Sequence, residues 1–128
     1  MGPPFWIDEA VVLAIHDRQL LEHGGAQGLR DMSLLDSALA RPKNPLAYSG
    51  ADVIELAAKC TAGIVQNHPF VDGDKRTGFV AGVLFLELNG YRFTASEETA
   101  AQAVLELAAG TIDERGFCEF LRAAVVAE

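Results

Sequence analysis

Residues 68–78 read His68-Pro69-Phe70-Val71-Asp72-Gly73-Asp74-Lys75-Arg76-Thr77-Gly78. Pro69 and Gly73 interrupt regular structure, and the apolar residues from Phe79 to Leu88 then resume a helical rhythm. The stretch therefore predicts a turn, followed by the first turn of a buried helix that begins near Asp74. Backbone N–H groups at such a helix start attract anions, so this position is a natural anion site.

Five further helices are predicted from polar capping residues that precede apolar residues at helical spacing. Asp8 starts the first helix, which runs to about Glu22, and Asp52 starts the third, which ends near Asn67. Asp113 starts the last helix. That helix is expected to continue to the end of the chain through Phe117, Phe120, Leu121, Ala124 and Val125.

The two remaining helices lie between these. Ser33 and Asp36 have capping-box-like spacing for a short second helix, and Pro42 ends it, so a loop is expected from Pro42 to Gly50. A fifth helix starts around Thr94 or Ser96, after a short extended piece that begins at Tyr91. The prediction is an all-α fold: a compact single-domain bundle of about six helices over residues 1–128, with the helix of residues 74–88 at its centre.

Composition narrows the class of protein. The chain has 128 residues, is 50% hydrophobic and carries a net charge of −8, which disfavours a surface that binds nucleic acid directly. Cys60 and Cys118 both lie in apolar helical patterns and are expected to be buried reduced thiols. With no basic leader and no apolar run of about 18 residues, a cytoplasmic protein without a membrane segment is expected.

The cations at the predicted helix start need compensation. Lys75 and Arg76 lie in the first turn, where the helix dipole disfavours each by roughly 0.3–1 kcal/mol. One explanation is ion pairing with Asp72 and Asp74. The other is a bound phosphate, held by backbone N–H groups after Gly73 and by the two cations.

A base and a metal ligand accompany this phosphate site. His68 can accept a proton from a hydroxyl at physiological pH. Asp72 can hold magnesium, which usually takes one or two protein carboxylates together with phosphates and water. A Walker-type loop is excluded by spacing, and zinc is disfavoured because the histidines lack metal-ligand spacing. His16 and His23 are interpreted as residues of a helix face and a helix end.

The stretch resembles the signature of the Fic/Doc family, His-x-Phe-x-Asp/Glu-Gly/Ala-Asn-Lys/Gly-Arg. The matching residues are His68, Phe70, Asp72, Gly73, Lys75 and Arg76. Segments outside it are similar to the death-on-curing (Doc) branch: 23–25, 29–31, 34–42 and 85–90. The resemblance implies a Fic-like fold in which His68 is the catalytic base and Asp72 the Mg²⁺ ligand, while Phe70, Gly73, Asp74, Lys75 and Arg76 bind ATP.

Two departures from the Fic signature point to the Doc type. Lys75 stands where Fic proteins commonly have glycine, and Phe79 stands where they have a second arginine. The resemblance then implies a toxin that acts as a protein kinase, transferring phosphate from ATP to a hydroxyl of a translation factor of the elongation factor Tu class. An AMP transferase with the same residues remains an alternative, as does a catalytically silent module that binds antitoxin or nucleotide.

The resemblance also bears on regulation. Fic proteins are often silenced by a helix with the pattern Ser/Thr-x-x-x-Glu-Gly/Asn, and no such pattern occurs in this chain. Inhibition by an antitoxin bound in trans is therefore expected.

Asp74 is the main departure, because the family has Asn at this position. An ionised Asp cannot donate a hydrogen bond to phosphate. Two unit charges about 4 Å apart repel by roughly 4 kcal/mol at an effective dielectric constant near 20. We therefore expect Asp74 to attenuate nucleotide binding, unless it serves as an additional magnesium ligand.

Overall fold

The computed structural model describes residues 3–44 and 50–128. Within them the chain forms six α-helices and a small antiparallel sheet. The elements are α1 (Glu9–His23), α2 (Met32–Ala40), α3 (Val53–Asn67), α4 (Asp74–Leu88), β1 (Tyr91–Phe93), α5 (Glu97–Ala109), α6 (Glu114–Ala123) and β2 (Val125–Ala127). The all-α prediction is confirmed, apart from two short strands.

Most helix starts follow the predicted caps. The carboxylates of Asp8, Asp52 and Asp113 accept hydrogen bonds from amides in the first turns of α1, α3 and α6. Ser96, not Thr94, caps α5. The capping-box prediction for α2 is wrong, because Asp31 caps this helix and accepts hydrogen bonds from both the amide and the hydroxyl of Ser33.

The core centres on α3, which packs against α2, α4, α5 and α6. Ten of its fifteen residues are buried, compared with seven of fifteen in α4. The prediction that α4 is the central helix is therefore wrong, although its bounds were predicted correctly. Small residues explain the close packing: a Cβ atom at Gly63 would lie 3.2 Å from the Cβ of Ala38, and one at Gly78 would lie 3.1 Å from Val65.

The end of the chain differs from the predicted helix. α6 stops at Ala123, and Val125 belongs to β2, which pairs with β1 so that Phe93 lies opposite Val125. The amide of Thr94 also donates to the carbonyl of Ala124 across 2.7 Å. The β-branched residues Val125 and Val126 suit an extended strand. The pairing was missed because the partner strand lies about thirty residues earlier in the chain, and the helical spacing of the last residues does not reveal such a distant contact.

The remaining predictions concern a loop, the thiols and the membrane. A 3₁₀ turn, Arg41–Lys43, overlaps the start of the expected loop, and residues 45–49 of that loop lie outside the described residues. Both cysteines are free: Cys60 is buried, and burial raises its pKa to about 12, but Cys118 is only half-buried. No helix in residues 3–44 and 50–128 is long and apolar enough to cross a membrane.

Candidate active site

The signature loop, residues 68–73, connects α3 to α4. His68 is the C-cap of α3 and adopts a left-handed conformation with φ of 52°. This turn directs the chain away from the helix, and the imidazole side chain is 59% exposed. The predicted base therefore faces solvent at the end of the most buried helix.

Arg30 holds the end of α3, a role that the sequence did not reveal. Its Nε donates to the carbonyl of His68 across 2.8 Å, and its Nη2 donates to the carbonyl of Asn67 across 3.0 Å. Carbonyl groups at a helix C-terminus lack helical partners and attract cations. Arg30 thereby stabilises the backbone conformation from which His68 projects.

Backbone hydrogen bonds join the signature loop to the chain that precedes α2. The amides of Arg30 and Asp31 donate to the carbonyl of Pro69 across 2.7 and 3.0 Å, and the amide of Val71 donates to the carbonyl of Gly28 across 3.0 Å. These contacts form an isolated antiparallel bridge. The loop is therefore held by a neighbouring segment as well as by its own turn.

His16 contacts the signature loop from the protein interior through two of the loop's residues. Its ring is buried and stacks on Phe70, with ring centroids 3.7 Å apart and planes 8° apart. Its Nε2 lies 2.7 Å from the carbonyl oxygen of Asp72, and because a carbonyl only accepts, Nε2 is the donor. The interpretation of His16 as an ordinary helix-face residue missed this role. The sequence did hold one sign of it: His16 lies four residues after Val12, which places both residues on the same buried face of α1.

Gly73 leads into α4 with φ of 83°, a left-handed conformation that favours glycine. A Cβ atom here would lie 3.5 Å from the ring of His16, so the loop backbone at Gly73 lies next to that ring. α4 has no side-chain cap among the described residues, unlike the other five helices. The first amides of α4 therefore remain available for an external acceptor.

Asp74 points into the protein. Its side chain is 3% exposed; Oδ1 accepts a hydrogen bond from the amide of Phe70 at 2.9 Å, and Oδ2 lies 3.1 Å from Nδ1 of His68. Both carboxylate oxygens thus have partners on the protein side. The predicted contact of Asp74 with nucleotide phosphate, and the alternative magnesium ligation, gain no support from this orientation.

Asp72 remains at the surface. Its Oδ1 accepts from the amide of Gly73 at 2.8 Å, and its Oδ2 accepts from the amide of Ala26 at 3.3 Å. Lys75 and Arg76 are exposed, and neither forms an ion pair with a carboxylate within the described ranges. Two explanations were given for these cations: ion pairing with Asp72 and Asp74, or a bound phosphate. The described residues show no such ion pair.

His68, Asp72 and Gly73 thus lie on the signature loop, and Lys75 and Arg76 follow on the first turn of α4. Phe70 is buried behind the loop, stacked on His16, so its contribution here is packing. The arrangement combines a proton acceptor, a carboxylate and an uncapped helix start that carries two cations. These groups suit the transfer of an anionic group to a hydroxyl.

A groove of about 430 Å³ lies elsewhere, between α3 and α6. Three of its charged side chains form close ion pairs. Glu114 pairs with Lys59 at 2.9 Å and with the neighbouring Arg41 at 2.7 Å, and Arg122 pairs with the neighbouring Asp52 at 2.9 Å. None of these residues belongs to the signature loop. The groove is explained by ion pairs that join α3 to α6 and is not the candidate active site.

Comparison with known proteins identifies the family. The family model described as the Fic/DOC family matches residues 6–86. The chain is 30% identical over 112 residues to the protein kinase doc of Escherichia phage P1, covering 87% of this chain and 88% of that protein. It is 38% identical over 76 residues to the toxin Doc of Mycolicibacterium smegmatis (strain ATCC 700084 / mc(2)155), covering 56% of this chain and 57% of that protein. The chain belongs to the Fic/DOC family and is of the Doc type.

Proposed function

We propose that this protein is a Doc-type toxin that transfers phosphate from ATP to a hydroxyl of a target protein. The observation that carries the proposal is the exposed imidazole of His68 beside the uncapped, cationic start of α4. The family relationship and the name of the phage P1 relative, a protein kinase, support this reaction in preference to other uses of the same groups.

His68 is the proposed general base. Its Nδ1 faces Asp74, and Nε2 has no hydrogen-bond partner among the described residues, so Nε2 can receive the proton of a substrate hydroxyl. The hydroxyl oxygen then bonds to the γ-phosphorus of ATP. The bond from that phosphorus to the oxygen bridging to the β-phosphate breaks, and ADP leaves with the electron pair.

The start of α4 is the proposed phosphate site. Its first amides lack a side-chain cap, and Lys75 and Arg76 extend from the same turn. Two cations at a helix N-terminus oppose the helix dipole, so an anion bound there removes an unfavourable interaction. Gly73 adds no side chain that would obstruct the approach of the phosphates.

Asp72 fits a magnesium ion that arrives with the nucleotide. It is an exposed carboxylate, and the described residues contain no group of three or more His, Cys, Asp or Glu side chains that would form a site made by protein alone. Magnesium typically takes one or two protein carboxylates and fills its remaining positions with phosphates and water. When bound, it would neutralise charge on the transferred phosphoryl group.

The relationship to Doc proteins suggests two protein partners, a target and an antitoxin. The target is proposed to be a translation factor of the elongation factor Tu class, and inhibition is proposed to come from a cognate antitoxin in trans. Both proposals extend from the relationship to Doc proteins and from the missing inhibitory pattern in this chain. An antitoxin would use its own amphipathic segment to bind.

Labelled ATP tests the reaction directly. Purified elongation factor Tu is incubated with the protein, magnesium and ATP that carries the label at either the α- or the γ-phosphate. We expect transfer of the γ-label only, and loss of transfer in His68→Ala, which removes the base. Transfer of the α-label would establish AMP transfer instead. Absence of both, with an active Doc protein as positive control, would favour the silent binding module.

A further inference from the structure

We infer that Gly25 is a positioning residue for Asp72: because it has no side chain, the segment of residues 24–28 can hold the carboxylate that takes the divalent cation. The inference deepens the proposed function and rests on it, since Asp72 is the magnesium ligand only under that proposal. The glycine-rich segment, residues 24–28, reads Gly-Gly-Ala-Gln-Gly and connects α1 to the chain that precedes α2.

The glycine-rich segment reaches Asp72 through one backbone amide. The N–H of Ala26 donates to Oδ2 of Asp72 at 3.3 Å, from a position 46 residues earlier in the chain. The amide of Gly73 donates to Oδ1 at 2.8 Å. An exposed aspartate without such contacts would sample several staggered rotamers. The two amides, one on each oxygen, instead favour a single orientation of the carboxylate.

Gly25 lies where a side chain would disturb this contact. A Cβ atom there would lie 2.8 Å from Oδ2 of Asp72 and 3.1 Å from Cδ2 of Leu20 on α1, and both distances are shorter than ordinary van der Waals contacts. Oδ2 is the end of a flexible side chain, so the carboxylate is the group that would turn away. Its hydrogen bond from Ala26 would then be lost.

The contact with the carboxylate distinguishes Gly25 from the other glycines of the segment. Gly24, Gly25 and Gly28 have φ of 76°, 121° and 122°, values that favour glycine. A Cβ atom at Gly28 would make an ordinary contact, 3.4 Å from Cγ2 of Val71, and one at Gly24 would meet no atom of the described residues within 4 Å. All three positions therefore share the backbone requirement, and Gly25 adds the requirement for space beside Asp72.

The held carboxylate can still bind a cation. A carboxylate offers about four lone-pair positions, and the amides of Ala26 and Gly73 take one on each oxygen. Magnesium demands near-ideal geometry and usually takes one or two protein carboxylates. Groups that hydrogen-bond a metal ligand orient it, and their loss typically lowers metal affinity by about ten- to hundred-fold. Gly25→Ala should therefore weaken the part of nucleotide binding that depends on the cation.

Equilibrium binding tests this without any activity. Isothermal titration calorimetry gives Kd for a non-hydrolysable ATP analogue with magnesium chloride and with EDTA, and the ratio of the two constants is the gain from the cation. We expect Gly25→Ala to reduce this gain by about ten-fold and to leave Kd in EDTA unchanged. Gly24→Ala and Gly28→Ala place the same side chain at positive φ, away from Asp72, and are the matched controls that should keep the wild-type gain.

A second variant removes the donor itself. Ala26→Pro has no N–H at position 26 and adds no atom at position 25, so it should reduce the gain from magnesium as Gly25→Ala does. Its control is Gln27→Pro, because the amide of Gln27 donates no hydrogen bond within residues 3–44 and 50–128. This pair decides the inference even where alanine at position 25 prevents folding, which urea denaturation of each variant detects.

A double-mutant cycle separates positioning from general loosening of the loop. Once Asp72→Ala has removed the proposed ligand, Gly25→Ala should cause no further loss of the magnesium-dependent gain. An unchanged or raised gain in Gly25→Ala and Ala26→Pro, or a loss that adds to that of Asp72→Ala, would overturn the positioning role and leave the magnesium ligand in place. A wild-type gain in Asp72→Ala would instead contradict the proposed function of Asp72, and the inference with it.

Discussion

The side chain of His16 donates a hydrogen bond from Nε2 to the backbone carbonyl of Asp72 across 2.7 Å, joining α1 to a loop that lies 56 residues later in the chain. The same ring stacks on Phe70. Because Asp72 is the proposed magnesium ligand, a buried residue far away in sequence sets the position of a surface carboxylate. The conformation of the signature loop therefore depends on a buried residue of α1.

The hydrogen bond of His16 to the carbonyl of Asp72 can be tested separately from the packing of its ring on Phe70. His16→Phe keeps a flat ring against Phe70 but removes the donor, leaving the carbonyl of Asp72 without its partner. We expect the free energy of unfolding to fall by about 1–3 kcal/mol, and KM for magnesium-ATP to rise as the loop loosens. Urea denaturation and steady-state kinetics measure the two effects. His23→Phe, at the exposed end of α1, should change neither; equal values for wild-type protein and His16→Phe would refute the positioning of the loop by His16.

Arg30 provides a second test of loop geometry. Arg30→Lys keeps the charge but lacks the planar guanidinium that reaches the carbonyls of both His68 and Asn67. We expect a loss of about 0.5–1.5 kcal/mol in unfolding free energy and a lower kcat, because His68 projects from the turn that Arg30 holds. Arg18→Lys, which alters an exposed pair with Glu22 on α1, is the control. If both variants behave alike, the Arg30 contacts do not stabilise the turn.

The packing of α3 against α4 predicts a clash at Gly82. A Cβ atom there would overlap the side chain of Thr61, which donates its hydroxyl hydrogen bond to the carbonyl of Gly78 at 2.8 Å. Gly82→Ala should therefore destabilise the protein by roughly 1–3 kcal/mol, despite the better helix propensity of alanine. Combining it with Thr61→Ala should recover part of the loss, and a double-mutant cycle of unfolding free energies measures the coupling. Additive effects would mean that the two helices separate to make room.

The ion pair between α3 and α6 predicts a pH-dependent coupling. Burial opposes ionisation of Asp52, but hydrogen bonds from Arg122 and from the amide of Glu55 outweigh burial and lower the pKa of Asp52 below its ordinary value. A folded-state pKa below the unfolded one means stabilisation above the unfolded pKa, which is lost as pH falls through the folded pKa.

A double-mutant cycle measures this coupling. Because the side chain of Asp52 is 46% exposed, the coupling energy between Asp52→Asn and Arg122→Gln should stay below about 1 kcal/mol at neutral pH. It should vanish at an acid pH below the lowered folded-state pKa of Asp52, where its carboxylate is protonated. Urea denaturation of the four proteins at both pH values gives the result. A coupling that persists unchanged in acid would show that the contact does not depend on the charge of Asp52.

The sequence predicted the features that depend on local chemistry. The start of α4 at Asp74 followed from Gly73 and from the apolar run after it, and the caps Asp8, Asp52 and Asp113 followed from their side chains. His68 at the exit of α3 followed in the same way. Such signals lie within a few residues of the structure that they determine.

Features that depend on distant contacts were not predicted. The pairing of Phe93 with Val125, and the contacts of His16 and Arg30 with the signature loop, join residues more than thirty positions apart. Asp74 shows the same limit within the signature stretch itself. Its identity was visible, but its inward orientation depends on the buried amide of Phe70, so a carboxylate expected to repel phosphate instead contacts the base.

We propose that His68 activates a protein hydroxyl for phosphorylation. Intact-protein mass spectrometry of purified elongation factor Tu, after incubation with magnesium-ATP and either wild-type protein or His68→Ala, tests it most directly. We predict that the wild-type protein adds the mass of one phosphate to the target and that His68→Ala adds none. Equal modification by both proteins, or a mass gain of AMP in place of phosphate, would contradict the account.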